Sequence, residues 1–202
     1  RDDYKNNVTK LVQNLYLTKN YYVNIPAESD DFEENYWGEV TDPDGKKRDR
    51  FQEFDSIVPR FQYIANYLKN KKYSNLLDIG CGSGALLSAV KTSCPDIKLY
   101  GLDVSKYATE HASQFAEVFT GTLTDAKYSD NQFDVIATYH VIEHIKNPIP
   151  FLKNIKRILK KDGLLILGTP DFDSGCARRF GPQYRLLHDP SHITLFTNDS
   201  MH

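Results

Sequence analysis

Residues 76–84, Leu-Leu-Asp-Ile-Gly-Cys-Gly-Ser-Gly, constrain this chain more than any other stretch. Asn75 to Ile79 is a short apolar run that ends in glycines on alternate positions, Gly80, Gly82 and Gly84. Ala85 to Val90 then reads as a helix, so the local order is strand, tight turn, helix. Glycine permits positive φ and leaves no Cβ between backbone and ligand. A compact group can therefore rest against such a turn and face the exposed N–H groups of the helix. A second apolar run, Ile97 to Leu102, ends at Asp103. A carboxylate about 20 residues beyond the glycines can accept hydrogen bonds from both hydroxyls of a ribose.

The glycines alone leave two kinds of ligand open, because Gly80, Gly82 and Ala85 also satisfy the G-x-G-x-x-G/A fingerprint of dinucleotide sites. Asp78 separates them. A carboxylate two residues before the first glycine repels a pyrophosphate and attracts a cationic amino acid moiety, which favours a zwitterionic, sulfonium-bearing ligand. Leu76 to Gly84, Leu99 to Ser105, Phe133 to Pro148 and Leu159 to Pro170 resemble, in order, the successive motifs of class I S-adenosylmethionine-dependent methyltransferases. The likeness runs from residue 74 to residue 170 and is strongest to the small-molecule branch that contains quinone-biosynthetic O-methyltransferases. It implies that Asp103 holds the ribose, that Val104 and Leu123 flank the adenine, and that Gly80, Cys81 and Gly82 line the methionine portion. Asp78 and Gly84 belong to the same implied cofactor site, and Tyr139 and His140 would approach the sulfonium. One position departs from the family pattern: an acid often follows the glycine at 121, and this chain has Thr122.

Alternation of element types sets the expected architecture. Strand 75–79, helix 84–92, strand 97–102, helix 105–114 capped by Ser105, strand 116–119 and strand 133–138 follow one another. This predicts an α/β fold with a doubly wound, Rossmann-like, mostly parallel sheet and helices on both faces. Asn147-Pro148 reads as an N-cap and N1 proline of a helix whose Ile149, Leu152, Ile155 and Leu159 face inward, with Gly163 as its stop and strand 164–168 beyond. Upstream, Val8, Leu11, Val12 and Leu15 predict an amphipathic helix over 5–19. Tyr21 to Trp37 mixes aromatics with acids, as a lid or an anchored loop does, and Asp42 to Gly45 signals a type I turn. A helical stripe from Phe51 to Leu68, kinked or restarted at Pro59, leads into the glycine strand. Residues 1–73 are thus read as an N-terminal helical, lid-like extension and 74–202 as the ligand-binding domain. Family members continue with further strands, so the chain is expected to be a fragment, incomplete at its C-terminal end.

The 202 residues suffice for one domain with a single core. With 25 basic against 27 acidic residues, no overall positive field would gather a polyanion, so nucleic acid is not an expected partner. Clusters at Lys46 to Arg50, Lys69 to Lys72 and Lys156 to Lys161 read as solvated surface. Cys81, Cys94 and Cys176 lack C-x-x-C spacing and cannot all pair internally, which fits a reducing, cytoplasmic setting. No apolar run approaches the roughly 20 residues that a membrane span needs.

Methyl transfer requires alignment of two reactants more than a strong acid. A base helps where a hydroxyl or amine must shed a proton, and histidine has a suitable pKa. His140, His144, His188 and His192 are the candidates, each also readable as structural. Glu143-His144 resembles a pair that shapes the site in the family. His188 and His192 with Arg178, Arg179 and Arg185 could form a cationic surface for an anionic small-molecule acceptor. No convincing metal cluster is expected; His188, Asp189 and His192 are a weak one. The expected activity is S-adenosylmethionine-dependent methylation of a small molecule at oxygen, by a monomer or homodimer. A nicotinamide-dependent oxidoreductase and a non-catalytic S-adenosylmethionine-binding module stand as alternatives.

Overall fold

In a computed structural model of the chain, the described residues are 22–23, 39–41, 47–49, 52–181, 184, 186 and 191–201. The helix expected over 5–19, most of the Tyr21 to Trp37 stretch, the turn at Asp42 to Gly45, and Arg185, His188 and Asp189 lie outside them. Two short pairings precede the main fold. Strand β1 (Tyr22–Val23) pairs antiparallel with the late strand β9 (Thr194–Leu195), and β2 (Glu39–Thr41) pairs with β3 (Lys47–Asp49).

Five strands build the central sheet: β4 (Asn75–Ile79), β5 (Lys98–Asp103), β6 (Glu117–Thr120), β7 (Phe133–Tyr139) and β8 (Leu159–Gly168). Their spatial order is β6-β5-β4-β7-β8 and every pairing is parallel. The chain therefore steps outward one way from β4, then returns to β4's other side with β7. That reversal is the switch point beside which doubly wound sheets bind ligands.

Both faces of the sheet are covered, which explains why the inner strands read as continuous apolar runs. Leu76 and Leu77 are both fully buried yet face opposite cores, as the two-residue period of a strand demands. One core joins Leu76, Leu99 and Val135 to Ile64, Ala65 and Leu68 of helix α2 (Gln62–Leu68) and to Leu86, Leu87 and Val90 of helix α3 (Ala85–Ser93). The other joins Leu77, Leu102 and Ile136 to helix α5 (Pro148–Ile158). On α5, Ile149, Leu152, Ile155 and Ile158 are buried, each contributing about 1.5–3 kcal/mol by removal from water.

Local details follow the chemistry of the chain, with corrections. Pro59 restarts the Phe51 to Leu68 stripe as expected: helix α1 (Phe54–Ile57) passes into a 3₁₀ turn, Val58–Phe61, that holds the proline in its first two positions. Ser105 caps helix α4 (Lys106–Ala112), accepting from the Ala108 N–H at 3.2 Å. Asn147 does occupy the N-cap of α5, but its side chain makes no capping hydrogen bond. That helix ends at Ile158, before Gly163. The glycine lies within β8 instead, where an added Cβ would sit 2.8 Å from Leu159 Cδ1 and 3.0 Å from the Asp134 carbonyl. Helix α6 (Gly175–Phe180) and the short α7 (Asn198–Met201) complete the described elements. Among the described residues, no helix is long and apolar enough to cross a membrane.

Candidate active site

The turn after β4 is fixed by hydrogen bonds to the end of β5. Gly80 and Cys81 N–H groups both donate to the Leu102 carbonyl, at 2.7 and 3.0 Å. Gly82 N–H donates to Asp103 Oδ2 at 2.9 Å, and Ser105 N–H donates to Asp103 Oδ1 at 3.0 Å. One carboxylate thus ties the glycine turn to the start of α4. His111 of α4 braces the same turn, its Nδ1 donating to the Ser83 carbonyl at 2.7 Å while Phe54 packs against its ring. Gly80 and Gly84 have φ of 71° and 87°, the left-handed region that glycine alone enters without strain.

Two carboxylates lie together here, Asp78 at 3 % and Asp103 at 9 % exposure. Burial, and then the charge of Asp103, push the Asp78 carboxyl well above the usual carboxylate range. Such a place favours a ligand that brings positive charge. Cys81 is buried in the same spot, and burial followed by the charges of Asp78 and Asp103 pushes its thiol up, so it acts as packing rather than as a nucleophile.

A cavity of about 520 Å³ opens at the carboxyl ends of β4, β5 and β7. Gly80, Asp103, Val104, Leu123, Tyr139, His140 and His144 all line it. Asp78, Cys81, Gly82 and Gly84 do not line this cavity, and His192 is buried away from its wall at 5 % exposure. Phe151 and Asn154 of α5 form part of the wall and were not legible in the sequence as site residues, because their helical spacing matches that of core positions. At the departure noted above, Thr122 donates through both its N–H (3.1 Å) and its Oγ1 (2.5 Å) to Asp125, so an acid reaches the rim of this loop from three residues on.

Tyr139 ends β7 with its ring edge-to-face on Phe61 and its hydroxyl bonded to that of Tyr63. Burial first, then the Tyr63 hydroxyl, raises its pKa, so the phenol stays protonated. His140 follows at φ 54°, held there by its N–H donating to the Gly168 carbonyl at 2.9 Å. Its Nδ1 lies 3.0 Å from Glu143 Oε1, and that hydrogen bond raises the imidazole pKa. Glu143 is fully buried, and its Oε2 accepts from Thr169 Oγ1 at 2.9 Å. Burial raises the Glu143 carboxyl, but the His140 hydrogen bond and its neighbours outweigh burial and leave it lowered. The sequence signal for this pair is the His-x-x-Glu spacing, with His140 just after β7 and Glu143 on the 3₁₀ turn Ile142–His144.

His144 Nδ1 donates to the Ser191 carbonyl at 2.9 Å and His192 Nδ1 to the Leu186 carbonyl at 2.8 Å, their rings 5.0 Å apart. Among the described residues, Glu143, His144 and His192 bring metal-ligating atom types within 4.8 Å of one another. Each is already engaged by the bonds just given, and the group serves as the joint between residues 191–196 and the turn after β7. Arg178 pairs with Asp173 at 3.2 Å and Arg179 lies over the Phe180 ring.

A parallel sheet that reverses beside a glycine turn, with buried carboxylates on the two strands next to it and a cavity at the strand ends, defines a doubly wound α/β domain with a switch-point ligand site. The chain belongs to the methyltransferase domain family, whose model matches residues 47–202. It is 30 % identical over 162 residues to the ubiquinone biosynthesis O-methyltransferase of Actinobacillus pleuropneumoniae serotype 7, covering 71 % of this chain and 64 % of that protein. Among solved structures it resembles an S-adenosylmethionine-dependent methyltransferase of Thermotoga maritima, a possible histamine N-methyltransferase. That likeness has 25 % identity and a TM-score of 0.57, over 75 % of this chain and 73 % of the other. It also resembles the plantazolicin methyltransferase BpumL bound to S-adenosylhomocysteine, at 21 % identity and TM-score 0.57 over 74 % and 62 %. The chain spans 30 % to 64 % of the length of the curated relatives it matches. The class I methyltransferase fold expected from the motifs is the one found, and these likenesses do not favour the nicotinamide-dependent reading.

Proposed function

We propose that this chain binds S-adenosylmethionine across the ends of β4 and β5 and methylates a small-molecule acceptor at oxygen. The observation that carries the reading is Asp103, bonded to the glycine turn and lining the switch-point cavity, with a second buried carboxylate, Asp78, on the neighbouring strand. When bound, the cofactor supplies a methyl group on a sulfonium, whose carbon–sulfur bond electrons remain with sulfur after transfer. The remaining work falls to the protein. Asp103 accepts from the ribose hydroxyls, Val104 and Leu123 enclose the adenine, and Gly80, Cys81 and Gly82 receive the amino acid portion with Asp78 nearby and Gly84 releasing the chain into α3. Tyr139 and His140 face the reacting end; of the candidate histidines, His140 and His144 line the cavity, and His192 is buried against His144. The acceptor is anionic if Arg178 and Arg179 help to receive it. The O-methyltransferase relatives support oxygen as the methylated atom. A cytoplasmic monomer or homodimer with no nucleic acid partner completes the reading.

Calorimetric titration with S-adenosylmethionine and S-adenosylhomocysteine tests it. Charge-assisted hydrogen bonds contribute about 1.5–3 kcal/mol each, so Asp103→Ala, which loses two, weakens binding roughly 10²-fold or more. Asp103→Asn, which keeps the shape, separates loss of ligand contacts from collapse of the turn. Equal affinity of the Ala variant and the parent, or displacement of S-adenosylhomocysteine by NADH, sinks the reading.

A further inference from the structure

Three histidines were candidates for the proposed reaction, and their surroundings differ. His192 is almost wholly buried, and His144 packs against it. Each spends Nδ1 on a backbone carbonyl, His144 on that of Ser191 and His192 on that of Leu186. His140 differs in every respect. Its side chain is 65 % exposed on the cavity wall, and its Nδ1 meets a carboxylate rather than a carbonyl. That carboxylate has no solvent of its own, and its second oxygen is held by Thr169 from the end of β8. The left-handed backbone of His140, rare outside glycine, is maintained by the bond to Gly168 on the same strand. Residues held in such sparsely populated conformations cluster at working sites.

We propose that His140 is the base that takes the acceptor's proton, and that Glu143 and Thr169 are its positioning residues; this rests on the methyl-transfer reading above. Thr169 Oγ1–H donates to Glu143 Oε2, His140 Nδ1–H donates to Oε1, and Nε2 is thereby the basic nitrogen on the cavity side. As the acceptor oxygen forms its bond to the methyl carbon and the carbon–sulfur bond breaks, the O–H proton moves to Nε2. The resulting imidazolium is held against the Glu143 carboxylate, and the exposed ring returns the proton to solvent. Other titratable groups line the same cavity: Asp103 at the end of β5, Tyr139 at the end of β7, and His144. Among the described residues, Glu143 bonds directly to the ring.

Histidine-resolved NMR titration of the full chain, in complex with S-adenosylmethionine and separately with S-adenosylhomocysteine, reads this without any acceptor. A sulfonium facing His140 disfavours its protonation, so its midpoint is lower with S-adenosylmethionine than with the neutral thioether. In Glu143→Gln the His140 midpoint falls toward that of free imidazole in both complexes. Thr169→Val lowers it by a smaller step and guards against a folding defect in the first variant. An identical His140 midpoint in the two complexes, or one indifferent to Glu143→Gln, overturns the assignment. Failure of the parent protein to bind either compound sinks the methyl-transfer reading instead.

Discussion

Gly80 shows how much of the site rests on the absence of a single carbon. Its φ of 71° lies in the left-handed region, and an added Cβ would overlap Val141 Cγ2 on the turn that follows β7. The backbone cost for an L-residue in that conformation is about 1–2 kcal/mol, before any displacement of Val141. Val141 immediately follows His140, so the displacement would reach the cavity wall. Gly80→Ala is therefore expected to lower stability by about 1–3 kcal/mol in denaturant unfolding and to weaken cofactor binding. Adding Val141→Ala should recover the steric part and leave the backbone part. If the double variant is no more stable than the single one, the clash with Val141 is not the cause. The sequence made this position legible, because alternate glycines after an apolar run have few other uses. His140 and Glu143 were harder to read: the strain and the buried partner become visible only once β7 and β8 place Gly168 and Thr169 beside them.

At the level of elements, the register of β7 on β4 is set by a polar clasp at the amino ends of the strands. Asp134 Oδ2 accepts from the Ser74 and Asn75 N–H groups at 2.8 and 3.2 Å, and Asn75 Oδ1 accepts from Asp134 N–H at 2.7 Å. Lys160 of β8 reaches Asp134 Oδ1 at 2.9 Å, which links a third strand to the clasp. Burial raises the Asp134 carboxyl, but Lys160 and the two backbone donors outweigh it and leave the pKa below 3.8. A depressed acid stabilises the fold above its unfolded pKa and loses that contribution as pH falls through the folded value. Asp134→Asn is thus expected to be less stable than the parent at neutral pH by about 1–3 kcal/mol, with the gap closing below pH 3.8. Urea unfolding across that pH range measures it, and a gap that stays constant into acid sinks the argument. The five strands themselves were plain in the sequence, since buried parallel strands are unbroken apolar runs. The clasp was not, because its bonded members lie 26 to 60 residues apart and any one of them alone reads as a surface polar residue. Gly163 was misread for a related reason: a glycine near the end of a helical stripe resembles a C-terminal stop, and only the packing of Leu159 and Asp134 around it explains its place in β8.

For the molecule as a whole, the late segment serves as the foundation of the turn that carries His140 and Glu143. Ile193 N–H donates to the Glu143 carbonyl at 2.9 Å, and Thr194 Oγ1 donates to the Ile145 carbonyl at 2.6 Å. Asp171 bridges to Phe196, whose carbonyl accepts from Phe172 N–H at 2.9 Å. Phe196 is fully buried in the same core as Leu77, Leu102, Ile142 and Leu152, so one ring joins the floor of the sheet, the post-β7 turn and the segment behind it. A cavity opened there would loosen all three together, because protein interiors transmit strain rather than absorb it. Phe196→Ala is expected to cost about 3–5 kcal/mol, the range for a buried aromatic cut to alanine. The decisive readout is where protection is lost in amide hydrogen exchange under native conditions. If the segment underpins the turn after β7, amides of Ile142 to Ile145 and Ile193 to Phe196 lose protection in step, ahead of β4 and β5. Loss confined to residues 193–196, with the 142–145 amides unchanged, would show that the turn holds Glu143 in place without that support.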